Sequence, residues 1–226
     1  DVFRVSPNEL SFASVSSWKA IYGHPVGGKE TLVKGAFYEI YGSGFNSLCI
    51  GSERDPKKHG GMRKSLSAAF SSKALMEQEH IVNANVDNFT MRLGKDGGPD
   101  SAEGLDMTKW FEMIAFDVLG EMAFGESFGS VDNGHPHFWA EMILEHLFFI
   151  TLADNLRRYP GAKTLAKLVA PFTSSVKEKH TGYTREKVSK RLSSDSGRKD
   201  FMTNIVAKVE SGEIEKEEMT AHVSTL

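Results

Sequence analysis

The chain has 226 residues, a formal net charge of −3 and 40% hydrophobic residues, enough for one large domain or two small ones. The near-balanced charge gives no general case for a nucleic-acid partner, and a single cysteine, Cys49, excludes an internal disulfide framework and fits a reducing compartment. No apolar run reaches the ~18–20 residues that span a bilayer, and DVFRVSPNEL lacks the basic start and apolar stretch of a signal peptide. Both ends fall in mid-pattern, without an initiator Met, so a piece of a longer protein is expected.

Residues 1–23 read as a hairpin and a short helix. VFRVSPNELSF alternates on both sides of the turn pair Pro7-Asn8, and SVSSWKAIYGH is a helix ending near Gly23. Residues 24–54 are dense in glycine and read as a long loop, a kind of segment more often functional than not. Residues 55–226 read as helices. DPKKHGGMRKSLSAAFS opens with Asp55 as a cap and with Pro56 where its missing N–H costs nothing. Gly60 and Gly61 then weaken that helix by roughly 1 kcal/mol each relative to Ala. Leu75, Val82, Val86, Phe89 and Leu93 form one stripe of a helix stopping near Gly94. KDGGPDSAEG is a linker, and LDMTKWFEMIAFDVLGEMAFGESFG is apolar almost all round, which predicts a buried helix. A further helix closes at Pro160, GAKTLAKLVAPF is a shorter one, and Thr173–Leu192 is a basic amphipathic helix. After a solvated SDSGRK loop, one helix starts at an Asp200 cap. The last begins with Glu217 and Glu218 in its first turn. The expected fold class is mainly α with a small N-terminal β element, and no internal repeat is found.

Cys49 as a nucleophile would need a positive neighbourhood; an isolated loop cysteine is more simply structural. His135 and His137 flank Pro136, but no third metal ligand stands at a motif spacing, so a solvated pair at a helix start is expected. No GxSxG, HExxH or phosphate-cradling loop is present. The basic helix reads as a solvated face, with an anionic membrane or partner as the other reading. His59 and Arg63 lie four apart and so share a helix face. Arg suits a carboxylate because its planar fork can bond both oxygens, and His59 can reach a second oxygen; an ordinary exposed pair is the alternative.

Four stretches together resemble the N-terminal half of a fungal microsomal cytochrome P450, a haem–thiolate monooxygenase. FRVSPNELSFASVSSWKAIYGH resembles the first sheet strands and the short helix after them. DPKKHGGMRKSLSAAFSSKAL resembles the C helix with its H-x-x-x-R face and small-residue AFS break. FDVLGEMAFGESFG resembles the helix ending in A-F-G-x-x-F-G, and DFMTNIVAKVESGEIEKEEMTAHVSTL the segment leading into the long central helix. The resemblance covers essentially the whole chain, in order.

It implies one incomplete domain over residues 1–226: hairpin and helix at 1–23, a loop over haem at 24–54, and helices at 55–226 ending inside the central helix. It further implies haem as cofactor, with His59 and Arg63 binding its propionates and Phe37, Phe45 and Leu48 lining a substrate pocket. The helices around 148–156 and 165–172 would close over the substrate. The family's cysteine ligand, in F-x-x-G-x-R-x-C-x-G, its E-x-x-R pair and its A-G-x-x-T segment are not in this chain. Accordingly no catalytic residue and no metal ligand is assigned, and the chain alone is expected to be inactive and prone to aggregation. The parent would insert one oxygen atom of O2 into a lipophilic small molecule. It would take electrons from an NADPH–cytochrome reductase and sit on the cytoplasmic face of the endoplasmic reticulum through an anchor outside this chain. The competing expectations are a non-catalytic α-helical interaction domain and a His-based metal hydrolase.

Overall fold

A computed structural model of the chain describes residues 1–40, 44–97, 104–156, 159, 161–194 and 200–225. Strands β1 (Val2–Ser6) and β2 (Glu9–Phe12) pair antiparallel, with Val2 opposite Phe12 and Arg4 opposite Leu10 and a register shift before Ser6. The Arg4 guanidinium donates to Pro7 O at 2.8 Å across the turn. Helix α1 (Val15–Tyr22) is capped by the Ser14 hydroxyl, which accepts from Ser17 N. From the end of α1 to Asp55 the described residues contain one helical turn, the 3-10 turn Ala36–Ile40.

The rest is helical: α2 (Pro56–Ser67), α3 (Ser72–Asp96), α4 (Met107–Phe124), α5 (Ser130–Asn133), α6 (Phe138–Leu156), α7 (Ala162–Leu192), α8 (Thr203–Glu210) and α9 (Lys216–Val223). The expected class, mainly α with a small N-terminal β element, is what the chain adopts. Among the described residues two cores hold it. The larger joins Leu66, Ala123, Phe124, Phe128, Trp139, Val188, Met202, Ile205, Met219 and Val223, from α2, α4, α6, α7, α8 and α9. The smaller joins Phe89, Trp110, Met113 and Val131 between α3, α4 and α5.

The AFGESFG segment is a turn built around packing. Gly125 adopts φ 78°, the left-handed conformation that stops α4. Phe124 and Phe128 are buried on either side of it. The buried Asp117 carboxylate accepts from Ser130 N at 3.0 Å and Val131 N at 2.9 Å, satisfying the free amides at the start of α5.

Several expectations are corrected. The α3 stripe is rotated: Gln78, Ile81 and Phe89 are buried, while Leu75 and Val86 are exposed, because α3 is covered by α4 and α5 on one side only. Helix α4 is not buried all round; Phe111 is exposed. The two helices expected over GAKTLAKLVAPF and Thr173–Leu192 are one, which spans Ala162–Leu192 and runs through Pro171. A proline inside a helix costs ~3 kcal/mol. Beyond the proline the same helix is anchored in the larger core by Val188. Asp200 does not cap α8, which starts two residues after Phe201; its carboxylate instead takes both bonds of Arg191 Nη2, at 3.0 and 2.8 Å, and the Thr203 hydroxyl at 3.0 Å. Four of the basic residues of Thr173–Leu192 are paired rather than simply solvated: Arg185 with Glu217, Lys187 and Lys190 with Glu126, and Arg191 with Asp200, while Lys179 is exposed. Most of the KDGGPDSAEG linker, Pro160 and the SDSGRK loop lie outside the described residues, as do the side chains of 162–174.

Candidate functional site

Helix α2 is placed by its N-terminus. The Asp55 carboxylate accepts from Lys57 N at 2.8 Å and Lys58 N at 3.2 Å, and Pro56 follows it. Those backbone bonds, to Lys58 first and then Lys57, hold the Asp55 carboxyl below the usual carboxylate range. The helix continues unbroken through Gly60 and Gly61, where a side chain would meet open space.

His59 and Arg63 therefore stand one turn apart on one face, His59 half-buried and Arg63 exposed. Partial burial pushes the His59 imidazole below its ordinary pKa, and the charges of Lys34 and Arg63 push it the same way. The ring is consequently neutral near pH 7 and has one N–H to donate. Among the described residues no hydrogen bond or ion pair ties up the Arg63 guanidinium. The set is thus a fixed cation beside a neutral donor whose charging is opposed by other cations. A carboxylate arriving there would relieve that opposition.

The apolar candidates occupy three different surroundings. Phe37, in the 3-10 turn, is half-buried with its ring edge-on to Tyr38 at 5.9 Å. Phe45 is half-buried against α7, with the Arg185 guanidinium 5.2 Å from its ring centre. Leu48 is exposed. No single wall is formed by the three, and the side chains of Leu165–Phe172 lie outside the described residues. The cleft of about 510 Å³ between α2 and the α8–α9 turn is lined by Lys58, Gly61, Met62 and Ser65 with Lys208 and Glu218. Those positions belong to another face of α2 than His59 and Arg63.

Cys49 and His137 both have structural places. Cys49 is fully buried, and its thiol lies 3.3 Å from the Ser52 hydroxyl in a tight turn. His137 is not in solvent: it is half-buried among Phe116, Phe128, Phe138 and Tyr183. Burial, then the nearby Lys187, lowers its pKa. Among the described residues no three His, Cys, Asp or Glu side chains gather as a metal site.

The family model of cytochrome P450 matches residues 49–226. The chain belongs to the cytochrome P450 family. It is 63% identical over 225 residues to the cytochrome P450 monooxygenase ORF9 of Penicillium roqueforti, covering 100% of this chain and 44% of that relative. It is 56% identical over 226 residues to the cytochrome P450 monooxygenase BOT4 of Botryotinia fuckeliana, covering 100% and 43%. A third relative, BOA3 of the same fungus, is 34% identical over 229 residues. This P450 chain spans under half the length of the curated relatives it matches, so it corresponds to a fragment of such a protein.

Residues that local pattern reading missed also hold the approach to α2. Lys34 Nζ donates to Ile50 O at 2.7 Å and Glu53 O at 3.2 Å, which pins the loop to the approach of α2. Arg54 Nε donates to Lys34 O at 2.9 Å. Glu53 Oε1 accepts from Asp55 N at 2.8 Å. Only the helix start at Asp55 had a local signal; the partners of Lys34 are 16 to 20 residues away from it.

Proposed function

We propose that this chain supplies the propionate-binding side of a haem cleft, with Arg63 and His59 as the donors. The observation that carries the reading is the pair itself: an exposed guanidinium and a neutral, half-buried imidazole one turn apart on a helix held rigidly by Asp55. Arg63 can bond both oxygens of one propionate through its fork. His59 donates one N–H to the second propionate. Charge-assisted bonds of this kind are worth about 1.5–3 kcal/mol each. When bound, the haem supplies the oxidation chemistry; the protein's part is to orient it and exclude water.

On this reading the parent polypeptide inserts one oxygen atom from O2 into a lipophilic small molecule, fed by an NADPH–cytochrome reductase, at the endoplasmic reticulum membrane. The thiolate ligand comes from sequence outside these 226 residues, so the chain alone is inactive. Cys49 supports this by being committed to Ser52 in a closed turn. Phe37, Phe45 and Leu48 stay candidates for the substrate side, each from its own position on the loop.

The test is a haem titration of the 226-residue chain, then reduction and carbon monoxide, read by visible absorption. Weak or no binding, with no thiolate-type carbonyl spectrum, is expected. A thiolate-type spectrum would make Cys49 the ligand and overturn the assignment. A compact, haem-indifferent and stable chain would favour an interaction domain instead.

A further inference from the structure

A second set of contacts bears on the same helix from the far end of the chain. His222 sits on α9, only 1% exposed. Its Nδ1 accepts the Ile50 amide at 3.1 Å, across 172 residues of sequence. A backbone amide has one proton to give, so Nδ1 is unprotonated and the ring's own proton is on Nε2. Nε2 points toward Glu218 Oε1 at 3.4 Å without aligned hydrogen bonding, and among the described residues no other partner meets it.

Ile50 is not a free loop residue. Its carbonyl accepts Lys34 Nζ, which also bonds Glu53 O. Cys49 O accepts from Ser52 N at 3.0 Å and Glu53 N at 2.8 Å, and Glu53 in turn holds Asp55 N. Six consecutive residues therefore run as one stiff unit from the His222 contact to the cap of α2. These bonds link Ile50 to the cap of α2, the helix that carries His59 and Arg63.

We propose that His222 is a positioning residue for the propionate donors: its neutral Nδ1 clips the Cys49–Asp55 turn to α9 and so sets where α2 presents His59 and Arg63. The inference rests on the haem reading above for its functional meaning, but the clip itself does not. Losing the acceptor leaves the half-buried Ile50 amide without that partner. Protonation of Nδ1 does the same, which makes the clip sensitive to acid.

The charged and titratable groups on the surrounding elements are few among the described residues. Helix α9 itself carries Lys216, Glu217 and Glu218; α2 contributes Lys58 and Lys64, which line one cleft with Glu218; α7 contributes Arg185, paired with Glu217, and Arg191, paired with Asp200. Helix α8 contributes Lys208, paired with Glu213. The loop contributes Cys49, Glu53 and Lys34. Burial pushes the His222 pKa down, and of all these groups only Glu218 opposes it.

The experiment uses the full natural polypeptide that carries these residues. His222→Leu removes the acceptor, and His222→Asn restores one at the position of Nδ1. Arg63→Leu tests the haem reading separately. Exchange of the Ile50 amide is followed without haem, and haem affinity is followed as pH is lowered from 7.5. His222→Leu is expected to speed exchange and weaken haem binding by roughly tenfold, the worth of about one hydrogen bond. His222→Asn is expected to restore both at pH 7.5 and to lose the acid-induced weakening of the wild type. If His222→Leu does not fold, His222→Asn still decides: retention of the wild-type acid step overturns the proposal. Slow Ile50 exchange in His222→Leu also overturns it. Unchanged haem affinity in His222→Leu, with Arg63→Leu weakened, overturns the positioning role and leaves the haem reading standing. Unchanged affinity in Arg63→Leu sinks the haem reading, while faster Ile50 exchange in His222→Leu still upholds the clip.

Discussion

Phe3 and Trp18 in the first 22 residues are 70% and 66% exposed, whereas Met202 and Met219 in α8 and α9 are wholly buried. Both regions carry apolar residues at regular spacing, and both form the elements that spacing predicts. They differ in what lies against them. The hairpin satisfies its hydrogen bonds within itself, and α1 is closed by its own Ser14 cap. Among the described residues before Cys49 none is buried. By contrast α7, α8 and α9 each give side chains to one shared core. Local pattern builds an element; only a second layer makes it stable, since a two-stranded hairpin is marginal by itself.

That contrast can be broken most strongly inside the packed region. Asp200→Ala removes the carboxylate that takes two bonds from the buried Arg191 guanidinium and should cost about 3–5 kcal/mol, read as a lowered midpoint in urea unfolding. An unchanged midpoint would mean that the pair is not buried in solution. Ile205→Ala, in the same core, should cost about 2–5 kcal/mol by the same measurement. Gly120→Ala should follow: a Cβ there would meet the Phe128 ring at 2.7 Å and Glu126 O at 2.8 Å. Forcing α4 away from that turn should cost about 1–3 kcal/mol.

Acid is a milder probe of the same region. His222, His137 and His59 all have pKa values lowered by burial. The unfolded chain then binds protons that the folded one resists, from about pH 6.5 downward. Stability is therefore full above that value and is lost as pH falls toward the lowered folded values. Thermal melts between pH 7.5 and 5.5 should show the drop, and His222→Asn should shrink it. The smallest effect belongs to the exposed region: Trp18→Ala should change global stability by less than about 0.5 kcal/mol. A larger loss would show that α1 is packed in solution.

Some of the site was legible in the sequence for a definite reason. Asp55 before Pro56 marks a helix start, and residues four apart share a face whatever the tertiary fold, so His59 and Arg63 could be paired by counting. The acidic first turn of α9, Glu217 and Glu218, is set in the same local way. The four motif stretches in order sufficed for the family.

What counting could not supply was partners. The rotation of α3, the continuity of α7 past residue 171 and the pairing of its basic residues with Glu126, Asp200 and Glu217 follow from which faces neighbouring helices cover. His137 reads as a solvated helix-start residue until Phe116, Phe128 and Tyr183 are brought around it. His222 and Ile50, 172 residues apart, have no common local signal at all. Periodicity is a short-range property of the backbone, so the sequence by itself determined most of the elements, the shared face of His59 and Arg63, and the family. Long-range contacts are chosen by how those faces pack, and only the tertiary structure decided which charges are paired and what holds α2 in place.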